Sequence, residues 1–223
     1  MSVSHDHHQR TILAPAICAG VGVHTGRRVR LVVRPAPAGA GIVFVRTDVK
    51  DRENRIRVSG EAVVDARLNT MIENAAGVRL STIEHLMAAF AALGIANVTV
   101  EVDGPELPIL DGSALGFVQL LDRAGFRRQP TPVRYIEILE PVHVTEGDKH
   151  AALTPCDRYE MRFEIDFPTP VIGNQVIDFV VDEATFRRDI MAARTFGFRR
   201  DPASQLRDAR AWQAQAPQQR WLL

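Results

Sequence analysis

The order in which hydrophobic periods follow one another constrains this chain more than any other feature. Val29 to Arg34 and Ile42 to Arg46 are rich in β-branched residues, with Pro35, Pro37, Gly39 and Gly41 between them. Residues 9 to 64 therefore read as short strands joined by tight turns. A helical period then takes over. Ser81-Thr-Ile-Glu84 has the form of a capping box, followed by Leu86, Met87, Phe90 and Leu93 and stopped by Gly94. Asn97 to Val102 returns to strand. Asp103-Gly104 is a turn, Pro105 and Pro108 keep the next stretch extended, and Ser113 is placed to cap a second helix that ends at Gly125. Strands followed by helices in this order predict an α+β fold, with residues 9–127 as a two-layer sandwich.

The same plan then starts again. Gly125 to Pro132 reads as a linker containing Arg127, Arg128, Gln129 and Pro130. Strands are predicted at Tyr135–Leu139, His143–Thr145, Ala151–Leu153, Tyr159–Phe167 and Gln175–Val181. Met161, Phe163, Ile165 and Phe167 share one face of the fourth. Asp182 is placed to cap a helix reaching about Ala193. Residues 133–201 are thus expected to begin a second α+β sandwich of similar plan, left incomplete. Residues 1–8 read as a flexible tail, with His5, His7 and His8 solvated rather than bound to metal. Residues 202–223, rich in Ala, Gln and Arg, read as a divergent tail that does not finish the second domain.

Charge and composition exclude several function classes. Lys plus Arg equals Asp plus Glu, 27 against 27, so no long-range field draws the chain to nucleic acid or an anionic membrane. No apolar run approaches the ~20 residues of a bilayer span, and no stable membrane insertion is expected. Met1 to Arg10 is polar and lacks the apolar segment of a secretory signal. Cys18 and Cys156 do not make a disulfide framework. The expected location is the cytoplasm.

Four short constellations could carry chemistry. In Glu84-His85, an imidazole can bind zinc while the adjacent carboxylate takes a proton from water. The bland reading makes Glu84 a capping residue and His85 a surface histidine. In Gly20-Val-Gly-Val-His24-Thr25-Gly26, the glycines let backbone approach a ligand or a neighbouring strand closely. A tight turn explains the pattern as well. Asp103 to Ser113 combines carboxylates with two prolines in a rigid loop. In Arg194-Thr195-Phe196-Gly197-Phe198, a hydroxyl beside two aromatics can donate to a developing oxyanion while the rings hold a substrate. An ordinary strand end explains it equally.

Taken in order, the motifs say more. Gly22-Val-His24-Thr-Gly26, Arg34-Pro-Ala-Pro37, Ser81-Thr-Ile-Glu-His85-Leu, Leu107-Pro-Ile-Leu-Asp-Gly-Ser113 and Ala193-Arg-Thr-Phe-Gly-Phe198 resemble the zinc-dependent UDP-3-O-acyl-N-acetylglucosamine deacetylases. The resemblance runs from about Gln9 to Asp201. It implies two α+β sandwiches with the site between them. It implies hydrolysis of the N-acetyl group of a UDP-linked, acylated glucosamine, the step that commits to lipid A synthesis. His85 matches the family's first zinc ligand, and Glu84 its general base. Thr195 matches the hydroxyl that helps hold the oxyanion. Phe196 and Phe198 fall where the family lines its substrate cleft, and His24 falls near that cleft. Asp201 falls where a carboxylate supports the site.

One departure stands beside these matches. The family's later zinc ligands lie in a His-Lys-x-x-Asp helix. After Asp201 this chain has no histidine and one aspartate, Asp208. A catalytic zinc takes about three protein ligands, so the ligand set is incomplete. The chain alone is expected to be inactive, the alternative function being a non-catalytic remnant or UDP-sugar-binding module. A shift of reading frame near residue 202 would account for the tail. Sequencing the gene across codon 201 is expected to restore a His-Lys-x-x-Asp segment in another frame. An in-frame stop with nothing similar downstream would sink that expectation.

Overall fold

A computed structural model of the chain describes residues 8–168, 170 and 172–196. The first elements are β1 (His8–Ile12), β2 (Ala16–Val21), β3 (Arg28–Pro35), β4 (Ile42–Arg46) and β5 (Arg55–Arg57). Next come β6 (Val63–Asp65), β7 (Met71–Glu73), β8 (Arg79–Leu80), α1 (Glu84–Ala92), β9 (Val98–Val102), α2 (Leu115–Ala124) and β10 (Phe126–Pro132). The second half holds β11 (Val142–Glu146), β12 (Lys149–Leu153), β13 (Glu160–Asp166), β14 (Asn174–Val180) and the short α3 (Glu183–Thr185). The fold is α+β.

The main sheet has the order β2-β3-β9-β4-β5, and β4 and β9 are its parallel pair. Strands alternate in character because successive side chains face opposite sides of a sheet. Val29, Leu31 and Val33 of β3 are buried, while Arg28, Arg30 and Arg34 are exposed. Val98, Val100 and Val102 form the matching face of β9. Leu31 lies opposite Val102 and Val33 opposite Val100, and Phe44 of β4 lies beside Val100. Leu86, Ala89 and Phe90 of α1 and Phe117, Val118, Leu120 and Leu121 of α2 join these residues in one buried cluster. Each fully buried Leu or Phe contributes about 1.5–3 kcal/mol. No helix of the described residues is long and apolar enough to cross a membrane.

Several sequence expectations hold locally. Ser113 Oγ accepts the Leu115 N–H at 3.1 Å, and Gly125 ends α2 with φ of 69°. Asp182 accepts the Thr185 N–H at 2.7 Å. Three others do not hold. The stretch from Gly125 to Pro132 is no linker. Residues 126–132 form β10, which pairs antiparallel with β1. Its Gln129 is buried, donating to the Ala36 carbonyl and accepting from the Asn97 amide. Pro130 and Pro132 are tolerated because β10 belongs to a two-stranded sheet with an open side. Tyr135–Leu139 is not a strand, and Ile136 is 91% exposed. The helix after Asp182 is one α turn that passes into a π turn at Phe186–Ile190.

That π turn sends Phe186 into the first half's core. Arg187 donates to both carboxylate oxygens of Asp122 on α2, at 2.8 and 2.7 Å. The strands between Pro132 and Asp182 behave differently. β11 with β12, and β13 with β14, each form a separate two-stranded sheet. Phe163 is 59% exposed, and Met161, Val176 and Ile177 are exposed with it. A lone two-stranded sheet is marginally stable, because neither face is covered.

Two expectations follow. The purified chain should bind an apolar fluorescent dye strongly, and Phe163→Ser should weaken the signal. A monodisperse, cooperatively melting chain without dye binding would count against this. The Arg187 guanidinium holds the Asp122 carboxyl below its ordinary range. A depressed carboxylate adds stability above its unfolded pKa of about 4 and loses it as pH falls further. Arg187→Ala should therefore cost about 0.5–1 kcal/mol at neutral pH. The gap in urea midpoint between parent and variant should close as pH is lowered below about 4.

Candidate active site

Glu84 and His85 are the first two residues of α1, and the helix that carries them is anchored one turn later by buried Leu86, Ala89 and Phe90. The expected capping box does not form. Ser81 instead runs beside Pro105–Leu107: its N–H donates to the Pro105 carbonyl, and its own carbonyl accepts the Leu107 N–H, each at 3.0 Å. Glu84 is thereby released from capping. Its Oε2 accepts the Thr70 N–H at 3.0 Å, and its Oε1 lies 4.0 Å from His85 Nε2. The bland reading of Glu84 as a cap therefore fails on geometry.

Burial pushes the His85 imidazole below its ordinary pKa, against the opposing pull of the Glu84 and Asp111 carboxylates. The His85 side chain is only 14% exposed, against 36% for Glu84. A neutral imidazole keeps a lone pair for a ligand, and a neighbouring carboxylate with one oxygen uncommitted to the backbone can accept a proton.

The loop from Asp103 to Ser113 brings the other candidates in. Leu110 takes φ of 51° and Thr82 φ of 60°, both in the left-handed region. Such backbone costs about 1–3 kcal/mol per residue and persists only where surrounding contacts enforce it. Asp111 Oδ1 accepts both the N–H and the hydroxyl of Ser113, and its Oδ2 lies 3.4 Å from an Arg194 nitrogen. The Thr195 N–H donates to the Gly112 carbonyl at 2.9 Å. Arg194 and Thr195 are thus fastened to the loop whose Asp111 charge His85 senses. Thr195 is exposed, and the Phe196 ring, 47% exposed, meets Phe167 edge-on at 5.5 Å. His24 is exposed, with its backbone N–H fixed on Glu106 at 2.9 Å. Phe198 and Asp201 lie outside the described residues, as do His5 and His7.

Thr70, Glu106, Asp111 and Arg194 were not singled out from sequence. The signal for Asp111 and Glu106 was present in the acidic, proline-braced loop. The signal for Thr70, a backbone donor, was not. Cys18 is not a competing nucleophile, since burial pushes its thiol up to about 11.

A catalytic zinc ion needs about three protein ligands. His85 has suitable chemistry: it is neutral, mostly buried and flanked by carboxylates. Among the described residues, however, no group of three or more His, Cys, Asp or Glu side chains is placed to hold a metal. The described residues therefore do not make up a zinc site by themselves.

The family model described as UDP-3-O-acyl N-acetylglycosamine deacetylase matches residues 9–216. The chain belongs to this deacetylase family. It is 60% identical over 190 residues to the UDP-3-O-acyl-N-acetylglucosamine deacetylase of Phenylobacterium zucineum (strain HLK1), covering 85% of this chain and 65% of that one. It is 49% identical over 195 residues to the enzyme of that name from Myxococcus xanthus (strain DK1622), covering 87% and 62%. It is 46% identical over 195 residues to that of Shewanella sp. (strain ANA-3), covering 86% and 63%. The matches thus span just under two thirds of the length of these deacetylases.

Proposed function

We propose that this chain carries part of the machinery that hydrolyses the N-acetyl group of a UDP-linked, 3-O-acylated N-acetylglucosamine, releasing acetate. The observation that carries the reading is the Glu84–His85 pair. Its carboxylate is steered by the Thr70 N–H rather than by a helix cap, and its imidazole is kept neutral by burial. The names of the relatives supply the substrate class.

Each residue has a distinct task in this reading. Glu84 is the general base that accepts a proton from the attacking water. Thr195 donates its hydroxyl to the oxygen that becomes negative as the amide carbon turns tetrahedral. Its backbone N–H is fastened to the Gly112 carbonyl, in the loop that carries Asp111. Phe196, backed by Phe167, offers an apolar face to the substrate, and Phe198 is assigned the same task. His24 contributes to substrate binding from the glycine-rich loop, and Asp201 supports the site from outside the described residues. Zinc would be the cofactor, with His85 as one of its ligands; among the described residues no group of three or more His, Cys, Asp or Glu side chains is placed to hold it.

A second reading of the chain by itself is a UDP-sugar-binding module without turnover. One assay separates the two. Acetate release from the UDP-sugar supports the hydrolase, and binding without release supports the module. Where release is seen, Glu84→Gln should lower kcat by about 10²- to 10⁴-fold with little change in KM. A variant as fast as the parent would remove Glu84 from the mechanism.

A further inference from the structure

Glu106 is the most deeply buried acidic side chain among the described residues, 1% exposed, and it touches neither Glu84 nor His85 directly in the reading above. Three donors converge on it. The His24 N–H donates to Oε1 at 2.9 Å, the Thr25 N–H to Oε2 at 2.8 Å, and the Thr82 hydroxyl to Oε1 at 3.2 Å. These donors come from two segments that are 57 residues apart in sequence between Thr25 and Thr82, and Glu106 lies on a third. Backbone bonds tie the Glu106 segment to both of the others, Ser81 to Pro105 and Leu107 on one side and the Ile109 N–H to the Val21 carbonyl on the other, and the Glu106 carboxylate adds the side-chain link to His24, Thr25 and Thr82.

The surroundings are shaped to this carboxylate. A Cβ on Gly22 would collide with it, so the turn before His24 can lie against Glu106 only because residue 22 is glycine. A Cβ on Gly20 would come within 2.8 Å of Pro108 Cβ, so the two segments are in close register on both sides of Glu106. Thr82 is left-handed at φ of 60°, and its hydroxyl is the group that Glu106 holds. Glu84 follows Thr82 by two residues, and α1 begins there. Only an all-acceptor side chain can satisfy two N–H groups and a hydroxyl at once. A glutamine would turn an NH2 towards one of those donors.

We propose that Glu106 is a positioning residue that sets the separation between the His24–Thr25 loop and the turn that launches Glu84 and His85. It acts through its three donors, not on the substrate. The proposal rests on the deacetylase reading for its catalytic consequence, and on geometry alone for its structural one.

The test compares parent, Glu106→Gln and Asn97→Ala in the full chain. Asn97 is an equally buried polar hub: it donates to Gln9 and Gln129 and accepts from the Gly41 N–H, on the β1–β10 side of the fold. Both variants should melt earlier than the parent. With acetate release as the readout, below both melting temperatures, Glu106→Gln should lower kcat/KM by about 10- to 100-fold, whereas Asn97→Ala should stay close to the parent. Amide signals of His24 and Thr25 and ring signals of His85 should move in Glu106→Gln and not in Asn97→Ala. If Glu106→Gln fails to fold, Thr82→Val takes its place, since it deletes one donor and keeps the branched shape. A folded Glu106→Gln or Thr82→Val with parental kcat/KM overturns the proposal. A parent that binds the UDP-sugar and releases no acetate favours the binding-module reading over the hydrolase one. The positioning claim then stands or falls on whether the His24, Thr25 and His85 signals move.

Discussion

The apolar inner face of the main sheet has to be covered, and much else follows from how that is done. Val29, Leu31, Val33, Phe44, Val98, Val100 and Val102 form that face, and Leu86, Phe90, Phe117 and Leu121 are buried with them. These residues fix α1 in place and rotation. Because Glu84 and His85 open the same helix, the packing of Leu86 and Phe90 also decides where a carboxylate and an imidazole stand. Hydrophobic burial here is the scaffold of the site, and not merely a source of stability.

Buried polar groups supply the second level of order. Asn97 joins β1, β10 and the loop before β4 through Gln9, Gln129 and Gly41. Glu106 joins the glycine-rich loop to the turn before α1. A buried polar group left without partners costs about 1–3 kcal/mol, so each hub favours one arrangement of its loops over others. Among the described residues, the two non-glycine residues with left-handed backbone, Thr82 and Leu110, lie next to these connections. Both are within two residues of a group assigned to the site or sensed by it, Glu84 and Asp111. Strain concentrated there agrees with loops held for function rather than for local comfort.

The two halves of the described chain differ in how far burial has been achieved. From β1 to β10 the strands and helices share one cluster. From β11 to β14 the hairpins keep their register but leave Phe163, Val176 and Ile177 exposed. Phe186 and Arg187 return to the first half, one by packing and one through Asp122. The candidate oxyanion donor Thr195 follows that return and is fastened at Gly112. The anchoring of the π turn therefore bears on the site as well as on the fold.

Local pattern was enough for the features that local physics controls. The β-branched runs at Val29–Arg34 and Ile42–Arg46, the Gly125 stop and the Asp182 cap all depend on neighbours in sequence, and all appear where the pattern put them. Motif order was enough for the family and for Glu84, His85, His24, Thr195 and Phe196 as candidates. What pattern could not show was which distant group each polar side chain would meet. Ser81 and Glu84 spell a capping box, yet Pro105 and Thr70 claim them. Residues 126–132 spell a linker, yet β1 and Asn97 make them a buried strand. The sequence by itself determined the elements whose signals are local, such as β3, β4, α1 and α2, and the chemical inventory, because periodicity and turn chemistry are local. Tertiary structure alone decided the partners, because a hydrogen bond or a packed face needs a second segment, and nothing in one segment names the other.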